Sequence, residues 1–161
     1  FGSKEALIDE IYRYRLPDIE KGRRAMLVSL DAEGRGQDFE MLLKAVWTPL
    51  FEQVDKDGIH IYGRFLRAMM RDGIEHTRQI VTSDYPTALE LIARLEEKLP
   101  FGRGHLWELR WQIATDMVLD ALLVIDNRKL GISKQARFIF EDAVRMASAA
   151  LMASIDPQAR F

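Results

Sequence analysis

An all-α helical bundle is the fold this sequence predicts. Apolar residues recur at spacings of three and four through nearly every segment, and no run alternates as a half-buried strand would. The breaks between segments carry glycine, proline or Asp-Gly turn signals. Hydrophobic residues make up 48% of the 161, enough for one globular domain with its own core.

Taken in order, Ser3 reads as the N-cap of the first helix, with Glu5 in its first turn where the helix dipole favours an anion. Leu7, Ile8, Ile11, Tyr12 and Leu16 follow at helical spacing, and Pro17 predicts a kink or break before the helix resumes through Ile19, Met26, Leu27 and Leu30. Gly34-Arg35-Gly36 stops it. A second helix is expected over Asp38 to Val54, capped by Asp38 and distorted by Pro49, with Phe39, Leu42, Leu43, Val46, Trp47, Leu50 and Phe51 facing inward. After an Asp57-Gly58 turn, the third helix (Ile59 to Arg71) has Tyr62, Phe65, Leu66 and Met69 on one side and Arg64, Arg67 and Arg71 on the other. Ile74 to Leu99 reads as helix interrupted at Pro86, where Thr87 and Glu90 have capping-box spacing. Pro100 to Gly104 is a break, and the last two helices cover about His105 to Asn127 and Ser133 to Ser154, joined through Gly131.

Composition removes several function classes. A net charge of −2 is not that of a free-standing nucleic-acid binder. The absence of cysteine excludes disulfides, thiolate metal sites and cysteine nucleophiles, and makes the cytoplasm the expected location. The longest apolar stretch, Ile113 to Ile125, is too short to span a bilayer and is interrupted by Asp116 and Asp120, so no membrane partner is expected. His60, His76 and His105 share no helical spacing and no Glu-x-x-His motif occurs, which argues against a di-iron bundle and leaves no metal or other cofactor expected. No nucleophile–base pair stands at a recognisable spacing, so an enzyme is not expected.

Two features point to binding. Trp47, Phe51, Tyr62, Phe65, Met69, Trp107 and Trp111, with Met117, are the candidate lining of a cavity for an apolar or aromatic small molecule; ordinary core packing is the competing reading of each. Gln112, Asp116 and Asp120 form a polar line on an otherwise apolar helix, expected to face solvent, a ligand or an arginine of a second subunit. The helix from His105 is apolar on two sides, and the final helix has a stripe of small residues, so both are expected to meet a partner. The residues assigned to that interface are Val118, Leu122, Ala136, Phe140, Ala143, Ala147, Ala150 and Leu151. Both helices buried in a monomeric bundle is the alternative.

The opening string Phe1-Gly2-Ser3-Lys4-Glu5-Ala6-Leu7 resembles the junction in TetR-family transcription regulators where the recognition helix ends and the fourth helix begins. Arg15-Leu16-Pro17, Thr48-Pro49-Leu50 and Arg64-Phe65-Leu66-Arg67 are similar to one branch of that family. The resemblance implies that residues 1–16 begin the helix leading from a DNA-reading head upstream of Phe1, and that 17–161 form a ligand-binding and dimerisation domain. It implies a homodimer through a four-helix interface of the last two helices, a small-molecule effector, operator DNA bound by the upstream head, and a regulator expected to act as a repressor. It further implies that Lys4 contacts a DNA phosphate, and that the arginine-bearing helix passes the ligand signal to the head. A helical protein-interaction module without a small-molecule ligand is the rival reading.

Overall fold

The computed structural model describes residues 2–72, 84–99 and 104–155. Among them it is all helical, without strands: α1 (Lys4–Ala32), α2 (Phe39–Phe51), α3 (Ile61–Arg71), α4 (Pro86–Glu96), α5 (His105–Asn127) and α6 (Lys134–Met152). The residues before Asp84 in the expected fourth helix, His76 and the Pro100–Arg103 break lie outside the described residues. No helix among those described is long and apolar enough to cross a membrane.

Ser3 caps α1 as its side chain predicts, its hydroxyl accepting the Ala6 N–H at 3.1 Å. The break expected at Pro17 does not occur, and one helix of 29 residues runs through it. Pro17 is exposed, so the carbonyl it leaves without an N–H partner faces the solvent side of the helix. Asp38 caps α2 by accepting the Met41 N–H, but α2 stops at Phe51, before the expected Val54. The chain turns there because Asp55 Oδ1 accepts the N–H groups of both Asp57 and Ile59 at 2.9 Å, an alternative to helical hydrogen bonds. The capping box expected at Thr87 and Glu90 is not formed. Pro86 opens α4, the Thr87 N–H donates to Glu20 Oε1 on α1 at 2.7 Å, and Glu90 pairs with Arg94.

Packing follows from these stops and starts. α2 lies at the centre, with Leu42, Leu43, Val46, Leu50 and Phe51 buried against α1, α4 and α6. α5 and α6 form an antiparallel hairpin, closed at its far end by Arg110 donating to the carbonyls of Leu151 and Ala153. α3 packs chiefly on α5, where a Cβ on Gly63 would come within 2.8 Å of Leu122 Cδ1. The crossing of α1 over α2 is less yielding, because the neighbour is a rigid ring: a Cβ on Gly22 would sit 2.9 Å from Pro49 Cβ.

Gly22→Ala is therefore expected to destabilise the protein, although alanine is worth about 1 kcal/mol more than glycine within a helix. Overpacking against a proline ring costs roughly 1–3 kcal/mol, leaving a net loss that lowers Tm by about 2–4 °C per kcal/mol. A Tm that rises on this substitution would show that the α1–α2 crossing yields.

Candidate functional site

The candidate cavity residues fall into three places. Trp47 stacks on Trp111 with centroids 5.7 Å apart, and Trp111 meets Trp107 at 5.0 Å, bridging α2 and α5. Tyr62 and Phe65 on α3 join Tyr12 on α1, with the three rings 5.5–6.1 Å apart. Phe51 belongs to neither group, since it lies between Phe140 and the imidazole of His60, 4.6 and 5.5 Å away. Met69 is buried in the core and Met117 is half-buried on α5.

Polar atoms inside these aromatic groups lack partners. Trp47 Nε1, Tyr62 Oη and Thr115 Oγ1, the last one turn beyond Trp111, are buried with no hydrogen bond. Leaving such a group unsatisfied costs about 1–3 kcal/mol, so a bound polar atom or ordered water is favoured beside each. Burial pushes the Tyr62 hydroxyl far above its ordinary value, Tyr12 adds to this, and Arg23 pulls in the opposite direction. Tyr62 and Phe65 also form a wall of an open groove of about 470 Å³ between α1 and α3, with Leu7, Glu10, Ile11, Tyr14, Arg15 and Ile61 as the rest of its lining.

The best-defined polar constellation is one that sequence reasoning missed. His60 is fully buried just ahead of α3, and Asp126 is buried near the end of α5. Asp126 Oδ1 lies 2.6 Å from His60 Nδ1 and also accepts the His60 backbone N–H at 3.1 Å, while Oδ2 accepts Arg64 Nε at 2.7 Å. His60 Nε2 faces the carbonyl oxygen of Phe51 at 3.0 Å. Burial alone would raise the Asp126 pKa, but the hydrogen bonds from His60 and Arg64 outweigh it and hold the carboxyl below its ordinary value. The sequence carried a signal for this. Asp126 follows Leu122 by four and Leu119 by seven, on the buried stripe of α5, where a carboxylate needs a partner.

The polar line on α5 also has its explanation within the chain. Arg67 donates to Asp120 at 2.7 Å and to Asp116 at 3.0 Å, so these carboxylates pair with α3 at its edge, where Asp120 remains exposed and Asp116 half-buried. Gln112 is exposed. Of the arginine stripe, Arg64 and Arg67 are committed to α5, and Arg71 is exposed beside Asp72. Lys4 is exposed in the first turn of α1. Among the described residues no cluster of three or more potential metal ligands forms.

The residues assigned to the interface divide by burial. Val118, Leu122, Ala136, Phe140, Ala143, Ala147 and Leu151 are buried inside the single chain, and Ala150 is half-buried. The face that the hairpin turns outward is a different stripe: Leu109, Ile113 and Val124 on α5, and Phe138 and Met146 on α6. Ile113, Phe138 and Met146 are 56%, 66% and 55% exposed. Small residues at the centre of α6, Ala136, Ala143 and Ala147, are buried within the chain, where α6 packs on α5 and α2.

Asp126→Asn is expected to cost about 1–3 kcal/mol, because it takes a carboxylate acceptor from the buried His60 and from Arg64. The pH dependence has a definite sign. The folded carboxyl releases its proton below the ordinary value of 3.8, so its contribution is present above that pH and is lost as the pH falls through the folded value. Urea unfolding of wild type against Asp126→Asn across the acid range checks this, since the variant lacks that component of the acid loss.

No family model, no curated protein and no solved structure matches this chain.

Proposed function

We propose that this chain is the ligand-sensing and dimerising domain of a TetR-like transcriptional regulator, a cytoplasmic repressor whose DNA-reading head precedes Phe1. The observation that carries the reading is the set of exposed apolar side chains on the α5–α6 hairpin, Leu109, Ile113, Val124, Phe138 and Met146, which a second copy of the chain would cover. A long capped α1 with Lys4 exposed in its first turn and an aromatic interior with unpartnered polar atoms support the same reading.

In this mechanism the dimer holds two heads about one DNA turn apart, roughly 34–36 Å, and Lys4 approaches a phosphate without reading sequence. An apolar or aromatic effector shifts the population only by its differential affinity for two arrangements of α1 and α3. The α1–α3 groove is where those helices are least filled in. α3 is joined to α5 by the ion pairs of Arg64 and Arg67, so α1 is the element that moves relative to both.

A helical interaction module would expose the same face to a foreign partner. Sedimentation separates the two. The wild-type chain is expected to form a dimer, and Ile113→Glu with Met146→Glu is expected to weaken it at least about a hundredfold, as burying two unpaired charges demands, while helicity is retained. A monomer at high concentration overturns the dimer. Tryptophan emission unchanged by any apolar compound overturns the sensor.

A further inference from the structure

The polar contacts between helices divide the chain into two groups. In the first, Arg23 Nε on α1 donates to the Val46 carbonyl of α2, and Glu20 on α1 accepts the Thr87 N–H of α4. Arg94 on α4 pairs with Asp31 on α1 and donates to the Gly36 carbonyl ahead of α2. In the second, Arg64 and Arg67 tie α3 to α5, and Arg110 ties α5 to the end of α6. Thus α1, α2 and α4 are laced to one another, and so are α3, α5 and α6.

Contacts between the two groups are of another kind. Tyr12 meets Tyr62 and Phe65 edge-on, Trp47 stacks on Trp111, and α2 packs on α6 with Phe51 stacked on Phe140. Among the described residues, the polar contacts that cross from one group to the other gather at the end of α2. There His60 Nε2 faces the Phe51 carbonyl at 3.0 Å, and Arg137 reaches Glu52 at 3.4 Å with its guanidinium over the Phe51 ring. A charge-assisted hydrogen bond fixes distance and angle, whereas packed apolar side chains permit helix shifts of about 1–2 Å. One end of the seam is pinned and the rest is free to slide.

The seam also has a reason to part. Trp47 Nε1 and Tyr62 Oη belong to rings that meet across it, and both are buried without a hydrogen-bond partner. Thr115 Oγ1, one turn beyond Trp111 on α5, is a third such atom. Each is denied the hydrogen bond that water would give it, and regains that bond when the seam opens. We propose that the chain moves as two rigid bodies, α1–α2–α4 and α3–α5–α6, which shift against each other along this aromatic seam about a pivot at Phe51 and His60. The motion belongs to the chain whatever it regulates. On the sensory reading above, it makes α1 travel together with α2 and α4, and the α1–α3 groove is the mouth of the seam.

The indole proton of Trp47 reports this motion. It is buried at the seam without a hydrogen bond, so solvent reaches it when the seam parts. NMR hydrogen exchange on the 161-residue chain, which has three tryptophans, follows that proton beside the backbone amides. It is expected to open at least about tenfold more often than the most protected amides of α2 and α5, since a shift between bodies leaves both helices intact. Tyr62→Phe, in the separate α1–α3 cluster, is expected to slow Trp47 exchange about fivefold or more, because it removes a polar group that favours the open form. Thr115→Val is expected to act in the same direction, with helicity retained in both variants. Exchange of Trp47 only together with those amides overturns the proposal, because the seam then parts only as the chain unfolds. Exchange that neither variant changes overturns it too, because a local flicker of one ring does not sense Tyr62. Either outcome removes the two-body motion while the dimer and the sensor still stand or fall on sedimentation and tryptophan emission.

Discussion

The carboxylate of Asp126 is the contact on which the arrangement of α2, α3 and α5 depends. One side chain on α5 receives the backbone N–H and ring of His60 and the guanidinium of Arg64, and the far side of the same ring reaches the Phe51 carbonyl at the end of α2. The ends of three helices are thereby fixed by one buried charged group. Such a group contributes little net stability compared with well-packed hydrophobic residues, but removing one member is expensive, so it specifies which helices meet more than it strengthens their meeting. Phe51 shows the same geometry from the apolar side, stacked between His60 and Phe140.

Beyond this node the attachments of α3 are unequal. Toward α5 it has Arg64 and Arg67 on three carboxylates and the close approach of Gly63 to Leu122. Toward α1 it has the aromatic edges of Tyr62 and Phe65 against Tyr12, beside an open groove. Directional, charge-assisted contacts on one flank and rings over a cleft on the other make the α1 seam the softer boundary. In the proposed switch, effector energy is spent at this seam.

Most of the helical order was legible from local chemistry, because caps and turns act within a few residues: Ser3, Asp38, Ser133, Gly34 and Gly58 mark their boundaries in the sequence as they do in space. What was not legible depends on neighbours distant in the chain. Pro17 does not break α1, because the proline lies on the exposed side of a helix whose other side is held by the core. Glu90 does not close a capping box on Thr87, because α4 already begins at Pro86 and the Thr87 N–H is taken by Glu20, 67 residues away. The small-residue stripe of α6 predicts a close neighbour but does not say whose, and Ala136, Ala143 and Ala147 are buried within the same chain, where α6 packs on α5 and α2. Of the site, the aromatic residues were legible as a class, while their division among three locations and the pairing of His60 with Asp126 depend on which helix faces which.

Two glycines meet where the α2–α3 and α5–α6 loops touch. Gly58 and Gly131 both have positive φ, 75° and 55°, and a Cβ on Gly58 would come within 3.2 Å of the Gly131 Cα. With no side chains between them, the two loops lie close together, and a side chain at either glycine would have to displace the other loop's backbone. Were α3 to tilt, this tightly packed end would be its natural pivot, and the displacement would grow along the helix toward Arg71.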